Sequence, residues 1–304
     1  MRLEDIVKSS LIKNLRQAIN PETLTTELPL ILKFLYNSTR YLKNPQDEKL
    51  LSNLIKKVKE DSKIRSRQIP TFLFSGYFEW HTIYFPLLDN LRLDKNERAL
   101  KDNKKEFLYW SYQYPFKSIE ENADLSLKMI KYTCEILGAN KTNLIGHSMG
   151  GPIIYYIAMK NPELVNKCIA IGSPFNGTKA SNFVYVLLKK PIIKKGVKFL
   201  EKLGYKFDPL REMSYGSEFL KSIKLSKGVD YYSIFSENDE VVLPWESAIK
   251  EGATNINVNK HLGLKNKGHI KLVYDDAVRQ LISGILNNDI DKERFNGVKY
   301  EMAA

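Results

Sequence analysis

Two periodicities divide the chain. Over residues 1–67 apolar positions recur at helical spacing: Leu3, Ile6, Val7, Leu11, Leu15 and Ile19, then Leu50, Leu51, Leu54, Ile55 and Val58. Asn20-Pro21 and Asn44-Pro45 each offer a cap followed by proline at the first helical position, so this stretch predicts a three-helix extension. From Ile69 the pattern changes to short apolar runs alternating with longer amphipathic ones. Strands are expected over residues 71–75, 107–110, 142–146, 167–172, 230–235 and 254–258. Helices are expected over 119–137 and 151–160, with a last one over 275–286. Such alternation predicts an α/β domain: a mostly parallel sheet with helices on both faces.

One segment breaks the rhythm. Residues 172–230 offer no strand, and Val184, Val186, Leu187, Leu188, Ile192 and Ile193 are interleaved there with Lys189, Lys190, Lys194 and Lys195. Pro191 and Gly196 divide it into short helices. The expected organisation is therefore a helical extension over 1–67 and an α/β domain over 68–304, interrupted by a helical insertion at about 177–228.

Composition narrows the class. A chain of 304 residues with 27% charged and 43% hydrophobic residues has the make-up of a folded globular protein. Its two cysteines, Cys134 and Cys168, sit in apolar runs without metal-ligand spacing, which suggests free thiols in a reducing compartment. The amino terminus carries Glu4 and Asp5 and lacks a secretory h-region, and no stretch nears the twenty or so apolar residues of a membrane span. A cytoplasmic location is the expectation. The net charge of +12 raises nucleic acid as a partner, but no zinc spacing, helix-turn-helix or aromatic–basic signature accompanies it. Peripheral contact with an anionic membrane suits the scattered lysines better.

The chemistry centres on Gly146-His147-Ser148-Met149-Gly150, set between an apolar strand end and an apolar helix. A serine on so tight a strand-to-helix turn has a strained backbone and a hydroxyl pushed out of the sheet, and a side chain at 146 or 150 would collide with neighbouring backbone. The stretch Asn143-Leu-Ile-Gly-His-Ser-Met-Gly-Gly-Pro152 resembles the nucleophile elbow of the α/β-hydrolase serine esterases and lipases. Two further stretches share that resemblance: Ile171-Gly-Ser-Pro-Phe-Asn-Gly-Thr178, similar to a Gly-Thr-Pro-His-x-Gly-Thr segment of many lipases, and residues 210–220. The resemblance runs from about Ile69 to about Asn287 and implies an α/β-hydrolase fold whose insertion lies over the active site as a cap or lid.

It also implies a triad in the chain order Ser148, Asp239, His269. A serine hydroxyl needs a base. Of four histidines, His269 stands on a loop before the final helix, where that base belongs; His261 is the alternative. His81 comes too early in the chain, and His147, beside the nucleophile, is expected to be structural. Asp239 follows the strand at 230–235 and matches the family acid, with Glu237 and Glu240 as alternatives. The oxyanion hole falls to the backbone N–H of Met149 and of Tyr77, or else Gly76, in the loop after the first strand of the domain. Family members commonly carry His-Gly there, whereas this chain has Ser75-Gly76, and nearby Glu79 is expected to oppose an anionic transition state.

The resulting expectation is a serine carboxylic-ester hydrolase acting through an acyl-enzyme on an acyl-ester or lipid substrate. No metal and no organic cofactor is implied. An acyltransferase or thioesterase using the same triad is one alternative, and a non-catalytic membrane- or partner-binding scaffold another. Oligomeric state and acyl length are open.

Overall fold

A computed structural model describes residues 69–77, 79, 108–111, 117–182 and 207–296. The expected helical extension, most of the insertion's apolar–lysine stretch and His81 lie outside these residues. Six strands form one parallel sheet in the order β2-β1-β3-β4-β5-β6. They are β1 (Thr71–Phe74), β2 (Leu108–Ser111), β3 (Thr142–His147), β4 (Val165–Ile171), β5 (Asp230–Phe235) and β6 (Thr254–Asn257). The strand order reverses between β1 and β3, the kind of switch point at which open parallel sheets bind their ligands.

Alternation along the strands sorts side chains to two layers. Phe72, Phe74, Leu144, Cys168, Ala170 and Tyr231 belong to one core cluster, with Ile119, Ile130, Ile153 and Ile157 of the helices α1 (Ile119–Leu137) and α2 (Gly150–Lys160). Leu73, Ile145, Ile169, Ile171, Tyr232, Ile234 and Ile256 belong to the other, against the C-terminal helices. Burial on both faces explains why these strands are so rich in isoleucine and aromatic residues.

Each helix has a local cause. Ser118 opens α1 with a reciprocal capping box: Glu121 N–H donates to Ser118 Oγ at 3.0 Å and Ser118 N–H to the Glu121 carboxylate at 2.9 Å. Gly138 closes it at φ 65°. No side chain caps α2, which starts directly from the turn after β3 and is buried from Gly150 to Ala158. Two short helices follow β4, α3 (Asp208–Glu212) and α4 (Glu218–Ser222), joined to the main layer where Ile119 N–H donates to the Glu212 carboxylate at 2.7 Å. After β6 come α5 (Val258–Leu262), α6 (Lys271–Tyr274) and α7 (Asp276–Asn287), the last capped by Asp275. Apart from an isolated bridge between Thr178 and Ser214, the described residues between β4 and β5 hold no strand.

The main departures from the expected bounds sit at the sheet's ends. β4 begins at Val165, two residues early, because a turn over Pro162–Leu164 delivers the chain straight into a register shift against Thr142 and Asn143. β2 is displaced by one residue, pairing Thr71 with Leu108. No helix among the described residues is long and apolar enough to cross a membrane.

Candidate active site

The turn after β3 is the sharpest point of the fold. Ser148 has φ 52°, one of three non-glycine residues with positive φ among those described, a conformation that L-residues hold only where the surroundings enforce it. Here Ser148 N–H donates to Ile171 O at 2.9 Å and Ser148 O accepts from Gly151 N–H at 3.0 Å. The flanking glycines are required by contact. A Cβ on Gly146 would run into the backbone of Gly150, and one on Gly150 into the carbonyl of Phe74. Gly76 completes the enclosure from β1's loop, since a Cβ there would lie 2.7 Å from Ser148 Cβ.

The loop after β5 carries Asp239. Asp239 Oδ2 lies 2.8 Å from His269 Nδ1, and its other oxygen accepts from Val241 and Val242 N–H at 2.9 and 2.8 Å. Both side chains are buried, at 2% and 3% exposure. Burial alone would raise the Asp239 carboxyl; the charge and hydrogen bond of His269, with the two N–H groups, hold it below the usual carboxylate range. Burial alone would depress the His269 imidazole. The Asp239 carboxylate reverses this, helped by Glu79 and Glu240, and the ring sits above its ordinary value.

The loop of His269 is fixed independently of its ring, because His269 N–H donates to the Glu240 carboxylate at 2.9 Å. Glu240 thus holds the loop while Asp239 holds the imidazole. Glu237 is committed elsewhere, to Asn257 Nδ2 at 2.9 Å and Lys260 at 3.5 Å. His261 is engaged elsewhere: its Nδ1 accepts from Asn257 N–H at 3.0 Å and its ring packs edge-on against Phe295. Among the described residues neither Ser148 Oγ nor His269 Nε2 has a hydrogen-bond partner.

A second carboxylate–histidine pair stands beside the first. His147 Nδ1 lies 2.7 Å from Glu79 Oε2, and its Nε2 lies 3.1 Å from the backbone carbonyl of His269. The two imidazole rings are 4.5 Å apart. Glu79 Oε2 also accepts from Gly76 N–H at 2.6 Å. Burial would push the Glu79 carboxyl up, but His147, then His269 and the Gly76 N–H, hold it below the ordinary range. Donor atoms of Glu79, His147 and His269 lie within 4.8 Å of one another, a spacing that could hold a metal ion. Yet both nitrogens of His147 already face oxygen acceptors, and a metal ligand must present a lone pair instead. The donor set fits a hydrogen-bonded network better than a metal centre.

Comparisons with known proteins bear on the fold. A profile of the alpha/beta hydrolase fold matches residues 118–261. Among solved structures, the fold resembles lipase B of Aspergillus fumigatus with a TM-score of 0.54 at 18% identity, covering 76% of this chain and 56% of that one. It resembles the mature form of lipase BlEst2 from Bacillus licheniformis with a TM-score of 0.51 at 15% identity, covering 72% and 92%.

The chain has the α/β-hydrolase fold.

Its sequence relatives match over a shorter stretch. The chain is 41% identical over 63 residues to a triacylglycerol lipase of Pseudarthrobacter phenanthrenivorans, covering 21% of this chain and 20% of the lipase. It is 37% identical over 67 residues to a triacylglycerol lipase of Vibrio cholerae, covering 22% of each. The chain spans about a fifth of the length of these curated relatives.

The structure adds detail to two of the expectations. Glu79 is not a lone charge set against the oxyanion loop, because His147 faces its carboxylate and Gly76 N–H donates to it. That bond commits Gly76 N–H to the Glu79 carboxylate. The segment 171–178 does more than signal kinship. Thr178 Oγ1 donates to Val241 O at 2.6 Å and accepts from Leu243 N–H at 3.2 Å, while Asn176 Nδ2 donates to Ile249 O at 3.0 Å. It braces the loop that carries Asp239. A threonine after a Gly-containing turn was visible in the sequence, but its partner lies 63 residues away and no local pattern announces it.

Proposed function

We propose that this chain is a serine carboxylic-ester hydrolase. What supports this reading is the buried Asp239–His269 pair, whose imidazole lies 4.5 Å from the ring of His147, the residue before a serine held at positive φ on the strand-to-helix turn. Asp239 accepts from Nδ1–H of His269, so the neutral ring presents Nε2 as its basic nitrogen. Ser148 Oγ attacks the ester carbonyl while Nε2 takes its proton; the bond between these two atoms commonly tightens only when substrate is bound. Charge then develops on the former carbonyl oxygen, where backbone N–H groups of Met149, at the start of α2, and Tyr77 would meet it. Collapse expels the alcohol with the proton from His269, leaving an acyl group on Ser148. Water, deprotonated by the same ring, hydrolyses it.

For substrate we propose an acyl ester of lipid type, a reading supported by the likeness to triacylglycerol lipases. The net charge of +12 suits peripheral contact with an anionic membrane. Two free, buried cysteines are consistent with the cytoplasmic location we propose.

Nitrophenyl esters of graded chain length test the reaction and its class together. We expect turnover with a preference for long acyl chains, abolished by His269→Ala. Equal activity of that variant would overturn the assignment of the base, and a preference for acetate would move the substrate to small soluble esters.

A further inference from the structure

The triad does not use Glu79 or His147, yet these are among the most constrained groups in the molecule. His147 is fully buried and the Glu79 side chain only 12% exposed. One carboxylate oxygen, Glu79 Oε2, receives both Gly76 N–H and His147 Nδ1. The far nitrogen of the same ring meets the backbone carbonyl of His269. A carboxylate and a carbonyl both accept, so each nitrogen of His147 stands where a donated N–H would be satisfied.

We infer that Glu79 and His147 are positioning residues, a buried carboxylate–imidazole couple that ties the oxyanion loop to the backbone of the catalytic base. This rests on the triad proposed above. The couple links three segments that meet at the site: the loop after β1, the end of β3 and the loop before α6. Strand pairing joins β1 to β3, but the loop of His269 belongs to no strand, and the His147–His269 bond supplies that connection. Gly76 lies against Ser148 while its N–H is drawn towards Glu79, which fixes the peptide that leads into Tyr77. The anchor of this loop comes from Glu79 and from the histidine that precedes Ser148.

Glu79→Ala and Glu79→Gln separate position from bulk structure. The alanine variant should lose about tenfold to hundredfold in kcat while KM stays within about twofold, because the oxyanion contact exists only in the transition state. Affinity for a trifluoromethyl ketone inhibitor should fall in parallel with kcat. Glutamine keeps an oxygen for Gly76 N–H and should recover most of the loss. An alanine variant with wild-type kcat, or a glutamine variant no better than alanine, would overturn the inference. A readout independent of turnover keeps it separate from the ester-hydrolase proposal: imidazole N–H resonances of His147, recorded in Ser148→Ala protein. A hydrogen-bonded ring N–H proton that shifts or is lost in the Ser148→Ala, Glu79→Ala double variant supports the couple. One unmoved by that change, or none at all, refutes it, whether or not the wild type cleaves esters.

Discussion

Two histidines in this site are built almost alike. Each has Nδ1 against a buried carboxylate, at 2.8 Å for His269 and Asp239 and 2.7 Å for His147 and Glu79, and their rings are neighbours. They differ at the other nitrogen. That of His147 lies against a backbone carbonyl, whereas that of His269 has no hydrogen-bond partner among the described residues. A carboxylate therefore does not by itself make a base. It orients the ring, and what faces Nε2 decides whether the ring can accept a proton or only donate one. The carboxylates differ too: Asp239 spends its second oxygen on its own loop, at Val241 and Val242, while Glu79 takes the N–H of another residue on the oxyanion loop.

The comparison can be broken by variants, beginning with the largest effect. Ser148→Ala should lower ester turnover by about 10⁴-fold or more, since neither histidine can act without the hydroxyl. Asp239→Asn should cost about 10³- to 10⁴-fold in kcat by favouring the wrong tautomer of His269. Glu240→Gln, which touches only the backbone N–H of that residue, should cost less than about tenfold. A larger loss for Glu240 than for Asp239, measured as kcat on one ester, would reverse their roles.

The pH profile sharpens the contrast. His269 must be neutral to accept a proton, and its neighbouring carboxylates raise it above the ordinary 6.5. The kcat/KM of the free enzyme should therefore rise with pH through a midpoint above that value, and Asp239→Asn should move the midpoint down. The sign for stability runs opposite for the two partners. His269, raised in the fold, stabilises below its unfolded value and loses this as pH rises through its folded one. Asp239, lowered in the fold, stabilises above about 3.9 and loses this as pH falls. Urea melts of wild type and Asp239→Asn should differ near neutral pH and converge in strong acid. Smallest of all, His261→Gln should leave kcat within about twofold, because its ring packs on Phe295.

Much of this was legible in the chain. The bounds of α1 and β5 follow from the pattern to the residue, because Ser118 with Glu121 and Gly138 mark α1 and a turn precedes Asp230. The elbow was legible because its glycines answer to local collisions. Asp239 and His269 could be placed through the family's chain order, but the choice among Glu237, Asp239 and Glu240 depended on which carboxylate turns inward, a matter of a few backbone angles. Glu79 and His147 are separated by 68 residues and meet only because β1 and β3 are adjacent. Neither sits in a motif that names its partner, so their pairing needed the fold.

The central claim is that one serine is activated by one of the two histidines. A fluorophosphonate probe followed by peptide mapping tests it most directly. The account predicts a single phosphonylated residue, Ser148, with labelling retained in His261→Gln and strongly slowed in His269→Ala. Folded wild-type protein that takes no label, or takes it at another residue, would contradict it.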